Sequence, residues 1–234
     1  MKKLLKLLVG LMFLGAVPVI SVTADDYLVE LVRAKPGHFK GFLAALKTYD
    51  WERAETVEPI IMRHSLGDQW DLFFIGPTMP NCSNDACTDE RAKISAMFER
   101  DVAFFEGFIA ASDENWAELK ARAVGTGIFY VEMFTAVEGK QEDVLAQRRM
   151  ENAYLSGVYG KDNSIFTIAE GSDFDSFTIG YFRDMVHFGE GAAITTAEKE
   201  VIAKAVGFED LNDISFSLRA VITSHHDTLA TPVN

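Results

Sequence analysis

The sequence predicts an α+β protein built from two similar βαββαβ units, and two observations support this prediction. Residues 27–44 (YLVELVRAKPGHFKGFLA) align without a gap with residues 129–146 (FYVEMFTAVEGKQEDVLA), at an offset of 102 residues. Residues 67–76 (GDQWDLFFIG) match residues 171–180 (GSDFDSFTIG) at an offset of 104 residues. A period of about one hundred residues is longer than the roughly 20 to 50 residues of solenoid and propeller repeats. We therefore interpret it as a duplicated small domain.

The first four elements are the same in both units. Each unit begins with a strand, because its first residues alternate with a period of two. A turn at Pro36-Gly37 or at Glu138-Gly139 then opens a helix with an apolar stripe. Two strands joined by a tight turn rich in Gly and Asp follow, which indicates a hairpin. The hairpin strands are predicted at residues 59–66 and 70–75 and at residues 165–169 and 174–181.

The last two elements differ between the units. In the first unit an apolar stripe predicts a helix through residues 94–109, and residues 113–124 also read as helix. The fourth strand of this unit is therefore missing, displaced or supplied by another segment such as residues 229–233. In the second unit a helix is predicted at residues 196–206, and alternation predicts a closing strand at residues 214–224.

The element order βαββαβ is that of a ferredoxin-like unit. Two helices cover one face of each sheet, and the other face can be buried against the second unit in one α+β barrel. The chain resembles the dimeric α+β barrel superfamily in its fused, tandem form, which includes antibiotic-biosynthesis monooxygenase-like, NIPSNAP-like and EthD-like domains. We assign residues 25–125 to the first ferredoxin-like repeat and residues 126–234 to the second. The resemblance implies an architecture and leaves the activity open.

Residues 1–24 have the pattern of a secretory signal peptide. Three lysines precede an apolar run that ends in Val22-Thr23-Ala24, so cleavage is expected before Asp25. The alternative is an uncleaved membrane anchor. We predict a periplasmic or secreted protein with no membrane contact after signal cleavage.

The charge of the chain excludes some partners. The formal net charge is −13, and it becomes −16 without residues 1–24, which hold three lysines and no acidic residue. Such a surface repels nucleic acid and anionic lipid. Hydrophobic residues make up 48% of the chain, which is enough for a core. The sequence does not decide whether the protein forms a homodimer through its outer surface.

Two cysteines lie in the polar segment NCSNDAC, at Cys82 and Cys87. In an oxidising compartment this spacing favours a disulfide that holds one loop. A redox pair or half of a metal site are the alternatives, but no Cys-x-x-Cys supports them. We predict no metal and no cofactor.

Two glutamates stand at equivalent positions in the first strands, Glu30 and Glu132. If the apolar neighbours of each glutamate pack beneath the helices, the glutamates face the space between the two sheets. These neighbours are Val29, Leu31, Val131 and Met133. Each glutamate is a candidate general base or ligand anchor, since burial raises the pKa of a carboxyl. The alternative is ion pairing, of Glu132 with Arg219 on the closing strand and of Glu30 with Arg63 or another nearby base.

The third strands differ in bulk between the units and suggest a binding wall. The apolar side is expected from Trp70 and Phe74, and the more polar side from Phe174, Ser176 and Thr178. Arg219 completes the predicted ligand-binding set. Large-to-small packing across the barrel is an equally good interpretation.

His64 has an apolar counterpart in the second unit, so it is the third candidate for a catalytic base. The resemblance extends to chlorite dismutase-like haem enzymes, which would use one histidine as the axial iron ligand. His64 or His187 would then take that role, although no motif supports a haem site.

These observations lead to three hypotheses. The first is an exported protein that binds a small, largely apolar molecule between its two half-barrels. The second is a cofactor-free oxygenase-like or isomerase-like enzyme with a glutamate or histidine base. The third is a non-catalytic interaction protein whose barrel is filled with side chains. The sequence does not decide whether the protein is an enzyme.

Overall fold

The structure is a computed structural model that describes residues 26–191 and 193–233. The described residues form eight strands and seven helices, and the predicted signal peptide lies outside them. In chain order these are β1 (Asp26–Ala34), α1 (Phe39–Leu46), β2 (Ile60–Leu66), β3 (Leu72–Pro77), α2 (Asp85–Asp101), β4 (Val102–Ala111), α3 (Trp116–Ala123), β5 (Ile128–Ala136), α4 (Gln141–Tyr159), β6 (Ser164–Glu170), β7 (Ser176–Phe182), α5 (Met185–Gly189), α6 (Thr196–Val206), α7 (Asp213–Arg219) and β8 (Ile222–Pro232).

The eight strands close into one antiparallel barrel in the order β1-β3-β2-β8-β5-β7-β6-β4. Within each half the strand order is that of a ferredoxin-like sheet, β4-β1-β3-β2 in the first half and β8-β5-β7-β6 in the second. The halves join at two seams, where β2 pairs with β8 and β4 pairs with β6. The predicted fold class, an α+β barrel of two ferredoxin-like halves, is confirmed.

The barrel interior is packed with apolar side chains from both halves. At its centre the rings of Phe166 and Phe177 stack with their centroids 4.4 Å apart. This interior includes four residues that were expected beneath the helices, namely Val29, Leu31, Val131 and Met133. The predicted orientation of the first strands is therefore wrong, because the strand faces are exchanged. Glu30 and Glu132 lie on the outer face, which the helices cover.

The helix predicted at residues 94–109 is wrong beyond residue 101. Helix α2 ends there, and Val102 has an extended backbone with φ −96° and ψ 132°. Residues Val102 to Ala111 form β4, which pairs with β1 along its length. In this strand Phe108 and Ala110 face the interior, and Gly107 disfavours the helical alternative. The first half therefore has its fourth strand in the usual place.

The closing strand of the second half also differs from the prediction. Residues 213–219 form α7. Its residues Ile214 and Leu218 lie four residues apart, and both pack against apolar clusters of the second half. Alternation of polar and apolar residues in this segment suggested a strand, but the i,i+4 pair fits a helix equally well. The strand β8 follows at Ile222. Its end, residues 229–232, pairs with β2 and β5 and does not replace β4.

Other predicted elements are confirmed. Helices at residues 113–124 and 196–206 are present as α3 and α6. The Cys82–Cys87 disulfide is present at the start of α2. None of the helices in the described part of the chain is long and apolar enough to cross a membrane.

Candidate functional site

A cavity of about 610 Å³ lies in the first half, between the outer face of β1, β3 and β4 and the helix α2. Apolar groups dominate its walls, and Glu30 lies on its floor. Three exposed apolar residues, Val57, Met79 and Phe105, stand among its lining residues. The aromatic lining residues are Tyr49, Trp51, Phe74, Phe98, Phe104 and Phe105. This volume is in the range of ligand pockets in proteins.

The cavity exists because α1 is short. Helices α1 and α4 begin at the equivalent positions 39 and 141, but α1 has 8 residues and α4 has 19. Where α4 continues over the sheet of the second half, residues 47–59 of the first half form turns and a loop. Trp51 and Val57 in this loop line the cavity. The two halves therefore share a framework, and the loss of helical turns leaves space in one of them.

The loop of residues 47–59 is fastened to the beginning of α2. The Arg91 guanidinium donates hydrogen bonds to the carbonyl oxygens of Ala54 at 2.9 Å and Pro80 at 2.7 Å. Glu55, whose φ is +49°, accepts a hydrogen bond from the backbone N–H of Ser83 at 2.8 Å. The disulfide closes the same region, next to Ala54. These contacts position the outer wall of the cavity.

Glu30 is a half-buried carboxyl that faces the cavity without a partner. It makes no hydrogen bond or ion pair with any other residue that the structure describes. Burial alone raises the pKa of Glu30 to about 7. Arg91 and Glu99 also line the cavity, but neither contributes to this shift.

Glu132, the equivalent residue of the second half, is paired. The Thr178 hydroxyl donates to Glu132 Oε2 at 3.1 Å, and Arg148 Nη1 lies 3.8 Å from the same oxygen. Arg148 is buried, forms a second ion pair with Glu151, and places its guanidinium 4.8 Å from the ring centroid of Phe134. Burial raises the pKa of Glu132 to about 7, and the Arg148 charge opposes that shift. Here the glutamate belongs to a structural network.

Strand register explains one of the missing partners of Glu30. Glu30 lies directly opposite Phe74 on β3, and Glu132 lies directly opposite Thr178 on β7. The two strand pairs are therefore in the same register. The first half has a phenyl ring where the second half has a hydroxyl that donates to the glutamate.

Helix position explains the other missing partner. Arg148 stands in the eighth position of α4, and the eighth position of α1 is Leu46. Both side chains are buried, but Leu46 brings no charge. Both groups that bind Glu132 are thus replaced by apolar side chains around Glu30.

The predicted ion-pair partners of the two glutamates are wrong, although Glu132 does form an ion pair, with Arg148. Arg219 lies exposed on α7 and donates to Ser215 Oγ at 3.4 Å, because its segment is helical. Arg63 places its guanidinium 5.6 Å from the Phe39 ring and is not among the residues that line the cavity. Neither arginine is part of the candidate site.

The third-strand residues divide differently from the prediction. Phe74 lines the cavity, but it does so on the helix-covered face. Trp70 packs in the barrel interior, and Phe174 contacts the His226 ring at 5.2 Å. Ser176 and Thr178 lie buried on the outer face of the second half. The structure therefore brings together Glu30 and Phe74 from the predicted set.

The candidate histidines lie outside the cavity. His64 contacts Trp70 edge-on at 5.8 Å, and His187 lies 3.2 Å from Lys161 Nζ. The cavity walls offer no histidine to a haem iron, so its donor set does not fit a histidine-ligated haem. Among the described residues no group of three or more His, Cys, Asp or Glu side chains could hold a metal ion.

Sequence reasoning missed most of the cavity wall. Tyr49 and Trp51 come from the loop after α1, and Phe98 comes from α2. One signal was present, since the similarity between the two units is interrupted after residue 44 and resumes only at residue 67. The divergence marks the place where helix α1 stops and the cavity opens.

Comparisons with known proteins identify the fold. No protein-family model matches the chain, and no curated protein sequence matches it. It is similar in structure to an anthrone oxidase-like protein, with a TM-score of 0.56, 10% identity and coverage of 91% of this chain and 92% of that chain. A proposed monooxygenase from Lactobacillus acidophilus gives a TM-score of 0.49 at 6% identity, covering 90% of this chain and 95% of that one. A proposed chlorite dismutase gives 0.49 at 12% identity, with the same coverage. At such identities the likeness concerns the fold.

Proposed function

We propose that this protein binds a small, largely apolar aromatic molecule in the cavity beside Glu30. The observation that carries the proposal is a cavity of about 610 Å³ with aromatic walls and the half-buried, unpartnered carboxyl group of Glu30. Pockets of this kind combine apolar surface for affinity with a few polar groups for orientation. The predicted export of the chain would place the binding event outside the cytoplasm.

The aromatic rings of the cavity wall form two contacting groups that offer ring contacts to an aromatic ligand. Phe98 lies 6.3 Å from Phe74 and 5.9 Å from Phe105, with the second pair edge to face. Tyr49 and Trp51 form another edge-to-face pair at 4.6 Å. Aromatic contacts at such distances contribute about 0.5–1.5 kcal/mol beyond the burial of apolar area. A ring bound between these two groups would gain contacts of the same type.

A second candidate function is catalysis with Glu30 as general base. A base is most effective when its pKa lies near the working pH, and burial raises the pKa of Glu30 to about 7. The carboxylate would take a proton from an acidic C–H or O–H group of the bound molecule. In an isomerase-like reaction that proton returns to another atom, and in an oxygenase-like reaction the anion reacts with O₂. The similar fold of an anthrone oxidase-like protein is compatible with this candidate.

Binding of the neutral fluorescent dye N-phenyl-1-naphthylamine tests the primary proposal. Leu28 lines the cavity two residues before Glu30, so Leu28→Trp should fill part of the cavity and weaken dye binding at least about tenfold. Leu66→Trp is the matched control, because Leu66 is exposed on β2 away from the cavity. Circular dichroism melting shows whether both variants fold. Equal binding by Leu28→Trp, Leu66→Trp and the parent protein would contradict the proposed site.

Native mass spectrometry of protein purified from the periplasm gives independent information. We expect an added organic mass on the parent protein and its loss in Leu28→Trp. An absorption spectrum of the same sample shows whether a porphyrin is bound. A Soret band would contradict our interpretation of the cavity.

A further inference from the structure

The charge of the ligand can be inferred from the other half of the barrel, and this inference rests on the proposed function. We propose that the ligand is an organic cation, a protonated amine or quaternary ammonium joined to an aromatic body, and that its positive group lies against Glu30. The second half shows the arrangement in which a cation satisfies the equivalent glutamate.

Arg148 is the internal model for the ligand's cationic group. Its guanidinium approaches Glu132 at 3.8 Å and at the same time lies over the Phe134 ring at 4.8 Å. Two carboxylates, Glu132 and the closer Glu151, and an aromatic face therefore hold one positive charge together. This combination is favourable because the ring quadrupole and the carboxylate both attract a cation that has left water.

The first half keeps the glutamate and lacks the cation. Leu46 stands at the helical position of Arg148, and Phe74 stands opposite Glu30 in place of a hydroxyl donor. A buried carboxylate without a partner is unfavourable, so a group that pairs with it gains more than it would at the surface. A bound cation would supply what Arg148 supplies to Glu132.

The aromatic residues in the cavity wall around Glu30 are suited to binding a cation. Aromatic faces bind ammonium groups by cation–π attraction, and five of the aromatic lining residues surround the same cavity as the carboxyl. They are Tyr49, Trp51, Phe74, Phe98 and Phe105. The acidic chain, with a formal charge of −13, also attracts cations over longer distances.

The positive charge in the cavity wall, that of Arg91, does not pair with Glu30. Arg91 lines the cavity, but its guanidinium donates to three backbone carbonyl groups. The other ionisable groups in the wall are Tyr49 and Glu99, of which Tyr49 donates to the carbonyl oxygen of Glu90 at 3.3 Å. Glu30 is therefore the carboxyl that a bound cation would meet at the cavity floor.

Three probes of the same size and different charge test the inference. They are 2-naphthylmethylammonium, 2-naphthylmethanol and 2-naphthoate, titrated into the full-length protein by calorimetry at pH 8. We expect the ammonium compound to bind at least about tenfold more tightly than the alcohol, and the carboxylate to bind most weakly. At pH 6, binding of the cation should release close to one proton, measured in buffers of different ionisation enthalpy.

Glu30→Gln and Glu99→Gln form a matched pair of variants. Both remove one negative charge with little change of shape, but Glu99 is exposed at the cavity rim. Glu30→Gln should remove the preference for the ammonium compound and leave binding of the alcohol within about twofold. Glu99→Gln should keep most of the preference, since an exposed charge acts weakly.

Each outcome has a defined meaning. If the alcohol binds as tightly as the ammonium compound, or if Glu99→Gln removes the preference as fully as Glu30→Gln, the inference is overturned. The proposed function survives both results, provided that the neutral dye still binds and Leu28→Trp still weakens it. If neither the dye nor any of the three probes binds, the proposed function and the inference fall together.

Discussion

Glu30 and Phe74 face each other across neighbouring strands, and their pairing leaves a carboxyl group without a donor on the floor of an aromatic cavity. In the same register of the second half, a glutamate faces a threonine and accepts its hydrogen bond. The two halves thus have a glutamate at the equivalent position but differ in the residues that contact it.

Restoring a hydroxyl at this position should change the titration of Glu30. Phe74→Thr places a donor opposite the carboxyl and admits more water, and both changes favour the ionised form. We expect the pKa of Glu30 to fall below the present value of about 7. Carbon-detected NMR of the glutamate carboxyl groups measures it, with Glu30→Gln used for assignment. An unchanged or higher pKa would contradict the structural account of Glu30.

Glu30 should reduce stability at alkaline pH. Its pKa is raised from 4.5 to about 7 in the folded protein, so the folded state holds the proton more tightly than the unfolded state. Stability therefore falls as pH rises from about 4.5 to about 7, by up to about 3 kcal/mol, and then stays level. Glu30→Gln should unfold at higher denaturant concentration than the parent at pH 8 and at a similar concentration at pH 4. A variant that is less stable than the parent at pH 8 would show that Glu30 has a stabilising partner.

Arg148 should be essential for the stability of the second half. Arg148→Met removes a buried charge and leaves the carboxylates of Glu132 and Glu151 without their shared partner. We expect a loss of about 3 kcal/mol at pH 8 in denaturant unfolding. The loss should be smaller at pH 5, because the pKa of Glu132 is about 7 and the neutral carboxyl needs no cation. Arg149→Met, at the exposed neighbouring position, is the control and should change stability little.

The disulfide should support the cavity more than the barrel. Replacing Cys82 and Cys87 by serine removes a short covalent loop, for which the chain-entropy model gives about 2 kcal/mol. We expect faster hydrogen exchange in residues 50–57 and severalfold weaker dye binding, since this segment forms the cavity wall. Exchange in α4 should stay as in the parent. Unchanged dye affinity would show that the Arg91 hydrogen bonds suffice to hold the loop.

Much of the fold is predictable from the sequence because short apolar periods and turns repeat in order. The boundary between α2 and β4 is not predictable from the sequence. Apolar residues at every third or fourth position fit a helical pattern, and some of the same residues also fit the alternating pattern of a strand. Pairing of β4 with β1 decides the matter, and that is a tertiary contact. The same ambiguity concerns residues 213–219, where a helical pair of apolar residues coincides with alternation.

The candidate site is less predictable for a different reason. Alternation shows that Glu30 and Val29 lie on opposite faces of β1, but it does not show which face is the barrel interior. In this barrel both faces are apolar, one covered by strands and the other by helices. The position of the cavity follows from the early end of α1, which depends on how far a helix continues. Its signal in the sequence is the gap in similarity between the halves from residue 45 to residue 66.

The way in which β8 closes the barrel has a consequence for folding. This strand pairs with β5 of its own half and with β2, where Met62 is opposite Pro232. The first half can form hydrogen bonds among its own four strands, yet two of its edges stay bare until β6 and β8 have been made. Bare strand edges invite pairing with other chains. We therefore expect the ribosome-bound chain to need protection from aggregation, and the rate-limiting event of folding to be the long-range closure between β2 and β8.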